Sequence, residues 1–160
     1  MPEVLKPPPT IACSRVLEYA ILNGSVRYSG HSNLFSGDTE VGPVPCLAIC
    51  QSLTRSELFL FHCDHDWTVL GTEARASVSA AKAAANEIYA GVSRLWIDAH
   101  VTEDEAAKHI DEMLGRCSFC NRSPLDFEGD PRFIQKNDTW ICESCVRDCY
   151  ELLRLDDQGA

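Results

Sequence analysis

Two stretches, Cys117-Ser118-Phe119-Cys120 and Cys142-Glu143-Ser144-Cys145, decide the fold of the C-terminal quarter. They are separated by 21 residues. Each C-x-x-C pair can place two sulfur atoms on one cation from a tight turn, called a knuckle. Two knuckles complete the tetrahedral set of four thiolates that zinc prefers. We therefore predict one structural Zn²⁺ per chain, bound by Cys117, Cys120, Cys142 and Cys145. Two reducible disulfides, or free thiols, are the alternative interpretation.

The residues around the second knuckle predict a hairpin and a helix, which together make a small treble-clef-like module. Phe133-Ile134 and Trp140-Ile141 flank the turn residues Asn137-Asp138. Apolar residues at helical spacing then predict a helix over about 143–155. A segment this short buries little core, so metal binding would supply its folding energy, and the remaining apolar side chains would contact a partner. The predicted partner-binding residues are Phe119, Phe133, Trp140, Val146, Tyr150 and Leu153.

These residues resemble the N-terminal zinc-binding domain of ClpX-type unfoldases. That family reads C-S-F-C-G-K-S, then an aromatic residue with I-C-x-x-C-V, then a further cysteine. This chain has C-S-F-C-N-R-S over residues 117–123, W-I-C-E-S-C-V over 140–146, and Cys149. The resemblance covers about residues 116–155 and implies a module that dimerises and binds adaptors or substrate proteins, with Cys149 outside the ligand set. The chain departs from the family at residues 130–138. In the family, this position holds an apolar segment that contains a Gly-Pro turn.

The preceding residues, 11–115, predict an α+β domain of unknown function that contains a small antiparallel sheet. Compact runs of apolar and β-branched residues predict its strands. Asn23-Gly24 is typical of a hairpin turn and predicts that the strand before it pairs with residues 25–28. The predicted strands are 16–21, 46–51, 57–63 and 67–70.

Two helices are predicted to complete this domain. Alanine-rich helical spacing predicts the first over residues 77–90. Residues 93–99 predict a short extended piece. A capping box, in which Thr102 and Glu105 exchange hydrogen bonds with each other's backbone, predicts the start of the second helix, which ends near Gly115.

A group of possible ligands in the predicted sheet leaves a second interpretation open. Cys63 and His65 could form a metal or catalytic site with Cys46 or Cys50. The simpler interpretation is that these cysteines are buried apolar groups, and that Asp64-His65-Asp66 closes a hairpin with side-chain-to-backbone hydrogen bonds. The sequence thus allows an enzyme or regulator with a Cys63/His65 site as an alternative function.

Composition narrows the remaining classes of function. The chain has 160 residues, nine cysteines and a net charge of −10. The negative charge makes a nucleic-acid-binding zinc protein the least favoured class, because phosphate binding needs clustered Lys and Arg. There is no phosphate-binding loop motif, so we do not expect an unfoldase. Residues 1–10, with four prolines, predict a loose arm, and residues 156–160 a frayed tail.

Together these observations predict a bacterial, cytoplasmic zinc protein that is not an enzyme. Neither a membrane span nor a secretion signal is predicted. The zinc module at residues 116–155 would mediate contact with a protein partner or with a second copy, and we expect a homodimer.

Overall fold

The computed structural model describes residues 6–129 and 131–157. It is α+β, with a curled antiparallel sheet, three α-helices and a C-terminal cluster of cysteines, which confirms the predicted fold class. Contacts between Cα atoms divide the chain into two compact units, residues 1–106 and 107–160. That division falls earlier than the boundary at 115/116 that composition predicted.

Twelve strands and three helices are present among the described residues. The strands are β1 (Thr10–Ile11), β2 (Ser14–Ile21), β3 (Arg27–Tyr28), β4 (Phe35–Ser36), β5 (Thr39–Glu40), β6 (Cys46–Ser52), β7 (Leu58–Cys63), β8 (Val69–Arg75), β9 (Tyr89–Ala90), β10 (Ile97–Asp98), β11 (Phe133–Lys136) and β12 (Thr139–Cys142). The helices are α1 (Val78–Ile88), α2 (Glu103–Leu114) and α3 (Glu143–Asp157).

The first unit contains a six-stranded antiparallel sheet in the order β1-β2-β6-β7-β8, with β10 also paired to β2. The central strand β6 is buried on both faces over its first five residues. Such two-sided burial explains why the sequence of β6 is a continuous apolar run and does not alternate with polar residues. Helix α1 supplies part of one core through Ala81, Ala85 and Ile88. The second core contains Trp67 and three buried cysteines, Cys46, Cys50 and Cys63.

Both helices of this region begin at a side-chain cap, of which only the one at α2 was predicted. The Ser77 hydroxyl accepts a hydrogen bond from the backbone N–H of Ala80 at the start of α1. At the start of α2, the Thr102 hydroxyl accepts from the backbone of Glu105 at 3.2 Å, and the Glu105 carboxylate accepts from the backbone of Thr102 at 2.8 Å. The capping box is therefore confirmed.

The hairpin predicted at Asn23-Gly24 does not form. Strand β3 pairs with β9 and not with β2. Both edges of β2 are occupied, because β6 pairs with it as far as Ile21 and β10 pairs with it at Tyr19. The Asn23 side chain instead accepts from the backbone N–H of Ser25 and closes a local turn.

Other boundaries differ from the prediction for local reasons. Trp67 has a φ of 64°, which ends the turn, so β8 begins two residues later than predicted and runs on to Arg75. Residues 92–94 form a turn of 3-10 helix, so only β10 of the predicted extended piece is a strand. Within the predicted arm, Thr10 belongs to β1, and residues 1–5 lie outside the described residues. Helix α3 reaches Asp157, and the rest of the predicted tail, residues 158–160, lies outside the described residues.

The second unit contains the predicted hairpin and helix. Strands β11 and β12 pair from Phe133↔Cys142 to Lys136↔Thr139, around a turn in which Asn137 has a φ of 54°. Asparagine tolerates this left-handed conformation better than most residues. Helix α3 follows β12 without a break. Residues 124–126 form a turn of 3-10 helix that Ser123 caps.

Candidate metal centre

The first knuckle is a tight turn held by backbone hydrogen bonds. The N–H of Cys117 donates to the carbonyl of Arg122 at 2.9 Å, and the N–H of Asn121 donates to the carbonyl of Cys117 at 2.9 Å. Asn121 has a φ of 58°, which lets the chain reverse directly after Cys120. This geometry turns the side chains of Cys117 and Cys120 toward one point, as the C-x-x-C spacing predicted.

The second pair of cysteines lies where β12 runs into α3. Cys142 is the last residue of β12, and Cys145 lies in the first turn of α3. The hairpin is tied to the first knuckle, because the N–H of Ser118 donates to the carbonyl of Trp140 at 2.7 Å. The N–H of Cys142 also donates to the sulfur of Cys117 at 3.4 Å. The positive end of the helix dipole therefore lies beside the cysteines, where it stabilises negative charge.

The four sulfur atoms of Cys117, Cys120, Cys142 and Cys145 all lie within 4.8 Å of one another. The Sγ atoms of Cys120 and Cys142 are 3.7 Å apart. A tetrahedral site with Zn–S bonds of about 2.3 Å has sulfur–sulfur edges of about 3.8 Å, whereas a disulfide bond is about 2.0 Å long. The observed separation matches the edge of a tetrathiolate site and not a disulfide. The cluster can therefore hold one metal ion.

The environment of the cluster favours thiolates at some positions and thiols at others. Burial acts to raise the pKa of the Cys117 thiol. Hydrogen bonds from backbone N–H groups, first those of Cys120 and Cys142, outweigh burial and lower that pKa to about 6. Burial and the neighbouring sulfur atoms raise the pKa of Cys145 to about 12. Four thiolates this close repel one another, and a divalent cation would remove that repulsion.

Burial differs among the four cysteines. Cys117, Cys142 and Cys145 are buried, whereas Cys120 is half-buried. The guanidinium of Arg122 donates to the sulfur of Cys120 at 3.3 Å, and this hydrogen bond lowers the pKa of the Cys120 thiol. All four positions are filled by protein side chains, which leaves no position for a substrate or a water molecule. This donor set suits a structural ion and not a catalytic one.

The residues predicted to bind a partner divide into two groups. Phe133 and Trp140 are half-buried, and their rings lie 6.3 Å apart, edge to face. Phe133 also packs against the cysteine cluster, so it contributes to the interior of the unit. Tyr150 and Leu153 are exposed, and Val146 is half-buried on the same helix. Phe119, in the first knuckle, is exposed as well.

Further exposed apolar residues lie near these positions and were not among the predicted contacts. Leu152 and Leu155 of α3 are 64% and 66% exposed, and Ile134 of β11 is 56% exposed. The predicted contact residues of α3, which are Val146, Tyr150 and Leu153, lie on only one side of the helix. A helical projection that included every leucine after Tyr150 would have identified the wider apolar surface.

The second predicted group, Cys46, Cys50, Cys63 and His65, does not come together as a site. The three cysteines are fully buried, whereas His65 is exposed in the turn after β7. Burial raises the pKa of Cys63 to about 12, which is the opposite of what a reactive thiol requires. The Asp64 carboxylate accepts from the backbone N–H groups of Asp66 and Thr68 at 2.9 Å, which confirms the predicted hairpin closure.

One buried polar group was missed by the sequence analysis. His62 of β7 is fully buried, and its Nε2 lies 3.0 Å from the Glu73 carboxylate of β8. Glu73 is also paired with the Arg75 guanidinium. The Nδ1 of His62 has no hydrogen-bond partner among the described residues. Burial, and then the positive charge of Arg75, lower the pKa of His62 to about 4.

Within residues 6–129 and 131–157, only the four-cysteine cluster brings together three or more possible metal ligands. None of the helices in that part of the chain has the length and apolarity needed to cross a bilayer. Comparison of the chain with models of known protein families, with curated proteins and with solved structures finds no match.

Proposed function

We propose that this protein is a zinc protein whose C-terminal unit mediates protein–protein contact, most directly between two copies of the chain. The observation that carries this proposal is the convergence of four cysteine sulfurs within 4.8 Å at the base of a helix with an exposed apolar surface. The ion would be structural, one per chain, held by Cys117, Cys120, Cys142 and Cys145.

Zinc is the metal that suits this donor set best. Four cysteine thiolates in a tetrahedral arrangement select zinc or an iron–sulfur centre over harder cations. The C-x-x-C spacing in two tight turns is typical of structural zinc sites. The ion would link the first knuckle to β12 and α3, and so would fix the helix on the hairpin.

The surface proposed for contact is formed by the exposed apolar side chains of residues 150–155 in α3. Tyr150, Leu152, Leu153 and Leu155 are each at least 60% exposed. Burial of such a side chain contributes about 1.5–3 kcal/mol. A second copy offers the same surface, so a symmetric pair would bury both at once. On the preceding turns of α3, Arg147 pairs with Glu143 at 3.6 Å.

The sequence motif supports a more specific proposal, that residues 116–155 form a ClpX-type zinc-binding module. The motif includes residues that bind no metal, such as Ser118 and Phe119 in the first knuckle and Val146 after the second. By that resemblance the module would serve a cytoplasmic protein that binds an adaptor, a substrate protein or a second copy. Such a protein need not be an enzyme, and its charge does not favour nucleic acid.

The experiment is native mass spectrometry of the full chain with and without a zinc chelator. We expect one zinc per chain and a dimer that is lost together with the metal. The surface is tested by comparing Leu153→Lys with Met113→Lys. Both side chains are 67% exposed and both lie on helices of the second unit, but Met113 lies on α2.

We expect Leu153→Lys to retain zinc and to shift the protein to a monomer, and Met113→Lys to leave the dimer unchanged. A zinc-loaded monomer at all concentrations would overturn self-association. Equal effects of the two substitutions would show that contact does not involve the α3 surface.

A further inference from the structure

We infer that Arg122 is a positioning residue of the metal centre, which holds the Cys120 sulfur in its ligating position and slows loss of the ion. This inference rests on the proposed metal binding. It assigns a role to a residue that contributes no ligand atom.

Three contacts fix Arg122 beside the cluster. Its Nε–H donates to the Cys120 sulfur at 3.3 Å. Its guanidinium carbon lies 4.5 Å from the centre of the Phe127 ring, which is the distance of a cation–π contact. Its backbone carbonyl accepts from the N–H of Cys117 at 2.9 Å. The guanidinium is therefore held from both ends of the residue and aims one donor at one sulfur.

The ligand that Arg122 contacts is the one most in need of support. Cys117, Cys142 and Cys145 are buried, whereas Cys120 is half-buried and so the most open to water and to competing ligands. Cys117 already accepts a hydrogen bond from the backbone of Cys142. For Cys120, the Arg122 side chain supplies a charged donor, which makes a stronger hydrogen bond than a neutral group.

Charge leads to the same conclusion. Four thiolates around a divalent cation carry a net charge of about −2. A fixed cation at hydrogen-bond distance from Cys120 offsets part of that charge. Outer partners of this kind typically change metal affinity about 10–100-fold when they are removed.

The test compares Arg122→Gln with Arg147→Gln in the zinc-loaded full chain. Arg147 is a matched control, because its side chain is 65% exposed and pairs at 3.6 Å with a carboxylate, that of Glu143, whereas Arg122 contacts a sulfur atom. Zinc release to an excess of a coloured chelator is followed in time. Alkylation of each cysteine by N-ethylmaleimide is followed by peptide mass spectrometry.

We expect Arg122→Gln to release zinc about 10-fold faster than the wild type, and Arg147→Gln to match the wild type. Cys120 should be the first of the four ligands to be alkylated in Arg122→Gln. If the two variants release zinc at equal rates, or if all four ligands of Arg122→Gln react together, Arg122 has no positioning role.

A third variant covers the case in which Arg122→Gln cannot be loaded with zinc. Arg122→Lys keeps the charge but cannot both stack on Phe127 and direct a planar N–H at Cys120, so we expect a release rate faster than that of the wild type. A wild-type rate in Arg122→Lys would overturn the inference. A wild-type chain that binds no metal would overturn the proposed function as well, which separates the two failures.

Discussion

Lowering the pH should destabilise the first unit through His62. This fully buried side chain belongs to β7, the strand that pairs with β6 and β8, and the neutral ring can donate from Nε2 to Glu73. A proton added at Nδ1 would have no acceptor among the described residues. The folded state therefore favours the neutral ring, whereas the unfolded chain binds a proton at an ordinary pKa.

The size of the effect follows from the pKa. Burial, together with the charge of Arg75, lowers the pKa of His62 from 6.5 to about 4. At about 1.4 kcal/mol for each tenfold change in proton affinity, this difference corresponds to about 3 kcal/mol. Because the folded-state pKa lies below that of the unfolded state, the stabilisation is present above pH 6.5 and is lost as the pH falls toward 4.

The assay is urea unfolding at pH 7 and pH 4 of the wild type and of His62→Gln, which cannot titrate but can still donate to Glu73. Both proteins carry Trp140→Phe, so that fluorescence reports only Trp67 and Trp96 of the first unit. We expect the wild type to lose about 3 kcal/mol more than His62→Gln between the two pH values. Equal losses of unfolding free energy in the two proteins would refute the reasoning. So would a wild type that becomes more stable relative to His62→Gln at pH 4, because that result would mean that the ion pair of protonated His62 with Glu73 dominates.

Three further predictions concern caps, packing and the fifth cysteine of the second unit. Thr102→Ala should lower the free energy of unfolding by about 1 kcal/mol in urea titrations, because α2 loses its cap; an unchanged value would contradict the capping role. Trp67→Ala should lower the free energy of unfolding by about 3 kcal/mol or more, since Trp67 is buried and lies edge to face with Tyr19, and a loss below about 1 kcal/mol would contradict the packing role. Cys149→Ser should leave the metal content of the purified protein unchanged while Cys142→Ser abolishes it, and equal losses would place Cys149 among the ligands.

Local patterns in the sequence predicted the parts of the fold that depend on neighbouring residues. The C-x-x-C spacing predicted both knuckles, and Thr102 with Glu105 predicted the start of α2, because each depends on residues at most three positions apart. The apolar runs predicted β6 and β7, because a strand that is buried on both faces has a continuous apolar sequence.

Local sequence patterns could not predict the features that depend on how the strands are paired. The pairing of β3 with β9 joins two-residue strands that are too short to show a period. The contact of His62 with Glu73 arises because β8 pairs with β7 through a turn whose Trp67 adopts a left-handed conformation, a position more typical of glycine. Likewise, Arg122 contacts Cys120 through a side-chain rotamer that spacing alone does not determine.

The central claim is that the four cysteines of the second unit bind one structural zinc ion. X-ray absorption at the zinc edge of the purified full chain, combined with elemental analysis, tests it most directly. The account predicts one zinc per chain with four sulfur neighbours at about 2.3 Å and no oxygen or nitrogen neighbour. A chain without metal, or a zinc ion with fewer than four sulfur neighbours, would contradict it.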